Sequence, residues 1–181
     1  PHLASNHEVL RETAVWIFER HPEMAKQMAG FLKGRLSNAA GLSNPQREEL
    51  QHQLAGFAHD PAIQDVMSQA LTTKSRASRW LVFDAMAEAV IKEIPATWAK
   101  AVDDALAGKD EAVARAALNA AYSLGRSAKS KSFNAALLNM ARDGKHSPDL
   151  RLNAIAAITQ LPAPLDKAVF TFLQDMLSEV R

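Results

Sequence analysis

Side chains that commonly bind metals or act as nucleophiles are sparse in this sequence. Cysteine is absent, and the six histidines are scattered along the chain. His52 and His59 are seven residues apart, so on one helix face they would lie about 10 Å apart, too far to share a metal ion. Glu49 and His52 have the Glu-x-x-His spacing of di-iron helical bundles, but the sequence holds no second copy of it. We therefore predict no metal centre and no cofactor.

Acid–base and phosphate chemistry have no motif here either. Paired carboxylates such as Asp103-Asp104 and Asp110-Glu111 fall mostly in first turns or on exposed faces of predicted helices. Acid–base catalysis needs two carboxylates in different environments within one cleft. The seven glycines form neither a phosphate-binding loop nor a Gly-x-Ser-x-Gly elbow. The sequence therefore predicts a protein that is not an enzyme.

The composition is that of a globular, helix-rich protein. Of the 181 residues, 48% are hydrophobic, 23% are charged and 6% are aromatic. The net charge of +1 is far below the basic excess of most nucleic-acid-binding proteins, so nucleic acid is disfavoured as a partner. No apolar run approaches the roughly 18 residues that span a bilayer, so no membrane insertion is expected. The composition does not indicate a cellular compartment.

Proline and glycine divide the chain into about ten helical segments. Three prolines follow residues that make good N-caps, in Asn44-Pro45, Asp60-Pro61 and Ser147-Pro148. No segment alternates strictly over the length of a strand, so no sheet is predicted. The all-α prediction places helices near 6–20, 23–37, 45–59, 61–73, 75–94, 96–107, 110–125, 131–143, 148–161 and 164–180.

A repeated arginine marks the second helix of each predicted pair. The copies are Arg11, Arg47, Arg79, Arg115 and Arg151, at intervals of 36, 32, 36 and 36 residues. The positions three and seven residues later are apolar in every copy, which predicts a buried stripe on one helix face. These positions are Ala14 and Phe18, Leu50 and Leu54, Val82 and Met86, Leu118 and Tyr122, and Ala154 and Ile158. One helix pair cannot bury such a stripe alone, whereas stacked pairs share a continuous core.

This pattern resembles HEAT-type repeats, which belong to the α-solenoids. The matching segments are 10–14, 110–118 and 147–154, with an Asp or Pro turn, an apolar residue, Arg and Ala. The resemblance implies one domain over residues 1–181, a right-handed α-solenoid (an α-α superhelix) of about five HEAT-like helix pairs. Segments 10–16 and 21–23 are also similar to HEAT segments of large exported planctomycete-type proteins with a dehydrogenase-like β-propeller and a c-type haem domain. That similarity implies a fragment of a longer chain.

The positions one and five residues after each repeated arginine are expected to face away from the core. In the first three copies they are Glu12 and Trp16, Glu48 and His52, and Trp80 and Asp84; the last two copies have Ala116 and Ala120, and Leu152 and Ala156. In an α-solenoid the second helices line the concave side, where large exposed apolar groups mark interaction surfaces. We predict that the first six residues bind a protein partner or an adjacent domain, and that the protein is a non-enzymatic interaction scaffold.

The alternative is a nucleic-acid-directed HEAT-like protein. Alkylpurine DNA glycosylases are built from HEAT-like repeats and use Trp and Asp side chains in a concave cleft. Trp80 and Asp84 are one helical turn apart and so share a face. Those enzymes act in a strongly basic groove, so a mixed apolar and acidic lining would favour the scaffold.

The sequence also predicts three structural features outside the proposed site. The repeated arginines should bridge to acidic or amide groups of neighbouring repeats, as a ladder. Two basic loops should be solvated, one with Arg126, Lys129 and Lys131, and one with Arg142, Lys145 and His146. The last segment has apolar residues on more than one face, so part of this set should be exposed or should contact another molecule or domain: Val169, Phe170, Phe172, Leu173, Met176 and Leu177.

Overall fold

The structure is a computed structural model, and the residues that it describes are 9, 13, 25–161, 164 and 166–179. These residues form nine α-helices and one 3-10 helix and contain no strand, which confirms the all-α prediction for this part of the chain. The α-helices are α1 (Ala25–Ser37), α2 (Asn44–Gly56), α3 (Pro61–Leu71), α4 (Arg76–Glu88), α5 (Ala96–Leu106), α6 (Glu111–Ser127), α7 (Asn134–Arg142), α8 (Pro148–Ala157) and α9 (Lys167–Glu179). The 3-10 helix is Ala39–Gly41. The predicted helix 6–20 lies outside the described residues, apart from Val9 and Thr13.

Caps and prolines fix where several helices begin. The Asp60 carboxylate accepts a hydrogen bond from the Ala62 backbone N–H at 2.8 Å, and Pro61 occupies the first turn of α3. The predicted cap at Asn44 is wrong, because Asn44 already lies inside α2 and Ser43 is the N-cap. The Ser43 backbone N–H donates to Gln46 Oε1 at 3.0 Å, which is half of a capping box.

A tertiary contact ends α4 earlier than its sequence pattern suggests. The predicted segment runs to residue 94, but the helix ends at Glu88 and the backbone becomes extended at Ala89. Ser127 Oγ accepts from the Ile91 N–H at 3.2 Å and donates to the Ile91 carbonyl at 3.0 Å. Ile91 is buried. Burial of Ile91 and these two bonds replace the last helical turn that the sequence alone would allow.

The helices pack in two layers. Each odd-numbered helix contacts the next odd-numbered helix from α1 to α9, and each even-numbered helix contacts the next one from α2 to α8. Within the sequence pairs, α1 contacts α2, α3 contacts α4, α5 contacts α6 and α7 contacts α8. The hydrophobic core therefore runs between the layers and continues from pair to pair.

The apolar columns that follow the repeated arginines form this core, with one exception. In the described copies the first column is buried throughout, at Leu50, Val82, Leu118 and Ala154. The second column is buried at Leu54, Met86 and Ile158, but Tyr122 is 40% exposed. The prediction is wrong at Tyr122 because α6 buries Ala121 and Leu124 instead. The Tyr122 ring lies outside, with the Arg126 guanidinium 5.3 Å from its centroid.

The odd-numbered helices contribute the other half of the core. Trp98 is fully buried, and its indole N–H donates to the Gln64 carbonyl at 3.4 Å. On α9, Val169 is buried while Phe170 is 50% and Leu177 72% exposed. This confirms that part of the last apolar set faces solvent.

The ladder of repeated arginines forms only once in the described residues. Arg115 Nη1 lies 2.7 Å from Asp149 Oδ2, which joins α6 to α8. Arg47 donates to the Ala40 carbonyl at 3.3 Å, and Arg151 Nε donates to the Ala141 carbonyl at 2.8 Å. The ladder prediction is therefore wrong for these two, because each binds backbone within its own helix pair. It is also wrong for Arg79, whose side chain has no hydrogen-bond or ion-pair partner among the described residues.

Candidate functional site

A shallow cleft opens between α2 and α4 on the layer of even-numbered helices. Its volume is about 270 Å³, and we call it the α2–α4 cleft. Its lining consists of Asn44, Arg47, Glu48, Gln51, Trp80, Leu81 and Asp84. Glu48, Trp80 and Asp84 are three of the six residues that the sequence assigned to one surface, and the structure brings them together.

The α4 helix places Trp80 and Asp84 in the cleft because its opposite face is fully occupied by the core. Val82 and Met86 are completely buried, and Phe83 is nearly so. Trp80 and Asp84 lie two positions on either side of Val82, about 200° around the helix, and therefore point away from the core. Trp80 is 43% exposed, and a large aromatic side chain exposed to this degree is a candidate for contact with another molecule.

The cleft perturbs the ionisation of Asp84. Burial, and then repulsion from Glu88 one turn along α4, raises the pKa of Asp84 from its ordinary value of 3.8 to about 6. Among the described residues, neither Asp84 nor Glu48 has a hydrogen-bond or ion-pair partner. The cleft thus holds two carboxylates that are not neutralised within the described part of the chain.

Glu88 is held by α2 at one end of this surface. Gln51 Nε2 donates to Glu88 Oε1 at 2.6 Å, and His52 Nδ1 lies 2.8 Å from Glu88 Oε2. His52 therefore belongs to a bridge beside the α2–α4 cleft and is not part of its lining. The bridge joins α2 to α4 and engages both oxygens of Glu88.

The predicted surface does not continue across α6. Ala116 and Ala120, which occupy the equivalent positions, are buried. The prediction of an exposed face is therefore wrong on α6. Among the described helices, α4 and α6 form the most extensive contact, and these two short side chains are buried in the packed part of α6. Leu152 and Ala156 on α8 are exposed, as expected. Glu12 and Trp16 lie outside the described residues.

Sequence reasoning missed part of the cleft and of the bridge. The offsets from the repeated arginines do not mark Gln51, although it follows Asn44 and Arg47 at helical spacing on one side of α2. Glu88 was also missed, although Trp80, Asp84 and Glu88 recur every four residues along α4. Extending the four-residue spacing of Trp80 and Asp84 by one helical turn leads to Glu88.

Other polar features of the described residues offer less chemistry. The described residues contain no cluster of three or more His, Asp or Glu side chains suited to a metal ion. Three basic side chains in or beside the two predicted basic loops already have contacts within the chain. Arg126 bonds Tyr122 Oη at 2.5 Å, Lys131 bonds Gln160, and Arg142 lies 3.1 Å from Asp166.

Among the described residues, no helix has the length and apolar character needed to cross a membrane. Comparisons with protein-family models, with curated protein sequences and with solved structures found no match to this chain. The resemblance to HEAT-type repeats, and to those of exported planctomycete-type proteins, therefore stays a prediction from the sequence.

Proposed function

We propose that this protein is a non-enzymatic interaction scaffold, a right-handed α-solenoid of HEAT-type helix pairs that binds a protein segment in the α2–α4 cleft. The segment belongs to a partner protein or to an adjacent domain of a longer chain. Two features support the solenoid: the recurring arginine with its apolar columns, and the contacts of each helix with its pair and with the next helix of its own layer. Such stacking lets surface residues vary without disturbing the core.

The observation that carries the binding proposal is the exposed indole of Trp80 in a cleft with two carboxylates. Tryptophan is enriched among the residues that dominate binding energy at protein interfaces, especially where a pocket surrounds it. Polar side chains at the rim, here Asn44 and Gln51, are typical neighbours of such an anchor.

A glycosylase-type protein acting on DNA is the second candidate, because Trp80 and Asp84 do line the same cleft. The charge of the lining speaks against it. Among the described residues of the lining, Glu48 and Asp84 outnumber the one cation, Arg47, and Glu88 adds a third carboxylate nearby. A phosphate backbone would be repelled by this surface, since nucleic-acid affinity depends on neutralising phosphates with Lys and Arg.

The test is selection of a random peptide library on the wild-type protein, followed by binding of the enriched peptides to Trp80→Ala. We expect dissociation constants to rise by about 30-fold or more, which is the loss of a hot spot of about 2 kcal/mol. Far-UV circular dichroism should show that the variant stays helical.

Tyr122→Ala is the matched control, because Tyr122 is an aromatic residue of similar exposure on α6, outside the cleft. It should bind the same peptides as the wild type. Peptides that bind Trp80→Ala unchanged would contradict the proposal. Duplex DNA binding that weakens steeply with salt and depends on Trp80 would favour the second candidate.

A further inference from the structure

We propose that the α2–α4 cleft accepts one arginine side chain of the partner, with its guanidinium against Trp80 and between Glu48 and Asp84. This inference rests on the proposed function and names the chemistry that the cleft recognises. It is carried by three observations: the volume of the cleft, the exposed indole, and two carboxylates without partners among the described residues.

Three acidic groups at helix N-termini have a cation partner within the chain, whereas Glu48 and Asp84 have none among the described residues. Asp110 pairs with Arg76 at 2.9 Å, Asp149 with Arg115 at 2.7 Å and Asp166 with Arg142 at 3.1 Å. Among the described residues, Arg47 is the one cation that lines the α2–α4 cleft; it donates to the Ala40 carbonyl and forms none of the described ion pairs. A cation supplied from outside would complete the charge balance of the cleft.

Glu88 is excluded from this role by its own contacts. Both of its oxygens are engaged by Gln51 and His52 at 2.6 and 2.8 Å. Its charge still acts on Asp84 one turn away and raises the cost of leaving Asp84 ionised without a counter-charge. A purely apolar ligand would bury Asp84 further and raise that cost, whereas a cationic ligand lowers it.

The combination of an indole and carboxylates favours arginine over lysine. A guanidinium is planar, stacks on aromatic faces, is weakly hydrated and can donate to two carboxylates at once. An ammonium is strongly hydrated and cannot stack in the same way. Cation–π attraction is also greatest for the indole ring of tryptophan.

The experiment uses three acetylated, amidated pentapeptides that have Arg, Lys or citrulline at the centre of four alanines. Citrulline keeps the shape of arginine and removes its charge. The readout is the indole N–H signal of Trp80 in ¹H–¹⁵N correlation spectra, identified by its loss in Trp80→Phe. We expect saturable shifts with the Arg peptide, at an affinity about tenfold above that of the citrulline peptide and several-fold above that of the Lys peptide.

The paired protein variant is Glu48→Gln with Asp84→Asn, which should reduce binding of the Arg peptide to the level of the citrulline peptide. Asp65→Asn, an exposed carboxylate on α3, is the control and should bind as the wild type does. No shift with the Arg peptide, equal binding of the citrulline or Lys peptide, or full binding by the double variant would each overturn the inference.

The two proposals fail separately. If selected library peptides bind through Trp80 but have no arginine dependence, the scaffold proposal stands and the arginine inference is wrong. If no peptide depends on Trp80, both are wrong.

Discussion

Asp84→Asn should stabilise the fold at neutral pH. The carboxylate is half-buried in the α2–α4 cleft, lacks a partner among the described residues and is repelled by Glu88. Asparagine has nearly the same shape and no charge, so the substitution removes the cost of an ionised group without opening a cavity.

The size of the stabilisation by Asp84→Asn follows from the pKa of Asp84. A rise in the pKa of Asp84 from 3.8 to about 6 corresponds to about 3 kcal/mol of free energy against the ionised form, since each tenfold change in an ionisation constant corresponds to about 1.4 kcal/mol. Asp84 is partly exposed, and solvent screening reduces such energies strongly. We therefore expect Asp84→Asn to raise the free energy of unfolding by about 1 kcal/mol at pH 7.5.

The stability advantage of Asp84→Asn over the wild type should grow as the pH rises. In the folded chain Asp84 keeps its proton up to about pH 6, whereas the unfolded chain loses that proton near pH 3.8. The wild type therefore loses stability relative to Asp84→Asn as the pH rises from about 4 to about 6, and the difference stays constant above that range. Below pH 4 both forms carry an uncharged side chain, and their stabilities should agree.

The assay is urea unfolding followed by far-UV circular dichroism at pH 3.5, 5, 6 and 7.5 for both proteins. Comparing the two at each pH cancels the titration of groups that do not interact with Asp84. Asp65→Asn is the control and should change the free energy of unfolding by less than about 0.5 kcal/mol. A destabilising effect of Asp84→Asn at pH 7.5, or a difference that does not change with pH, would refute the desolvation reasoning.

Three further predictions concern the scaffold, each checked by urea unfolding of the variant against the wild type. Trp98→Ala should cost about 3–5 kcal/mol, because a fully buried indole leaves a cavity; a loss below 1 kcal/mol would contradict the packing described for α5. Asp149→Asn should cost less than about 1 kcal/mol, since its ion pair with Arg115 is largely exposed, and a larger loss would show that the pair is essential to the stacking of α6 on α8. Ser127→Ala should cost about 1–3 kcal/mol, because both backbone groups of the buried Ile91 lose their partner; an unchanged midpoint would show that water replaces the hydroxyl.

The sequence predicted most of the helices because their signals are local. Proline at first turns, Asp60 as a cap and the apolar spacing of each helix depend only on residues within a few positions of each other. Local signals also placed the core columns at Leu50, Val82 and Ala154, since a buried stripe is a property of a single helix.

Features that depend on a neighbouring helix were not available from local patterns. The end of α4 is decided by Ser127, a residue 36 positions from Ile91. The exposure of Tyr122 and the burial of Ala116 and Ala120 depend on how α6 is rotated against α4, which short alanine side chains permit but do not specify.

The α2–α4 cleft likewise depends partly on local sequence patterns and partly on contacts between helices. The four-residue spacing of Trp80 and Asp84, and the position of Glu48 relative to Arg47, follow from helix geometry and were read from the sequence. Only the packing of α2 on α4 put the three side chains into one cavity and left two carboxylates without a counter-charge among the described residues. The reason is physical: a helix determines which residues share its own face, whereas the environment of a charge depends on the chains and solvent around it.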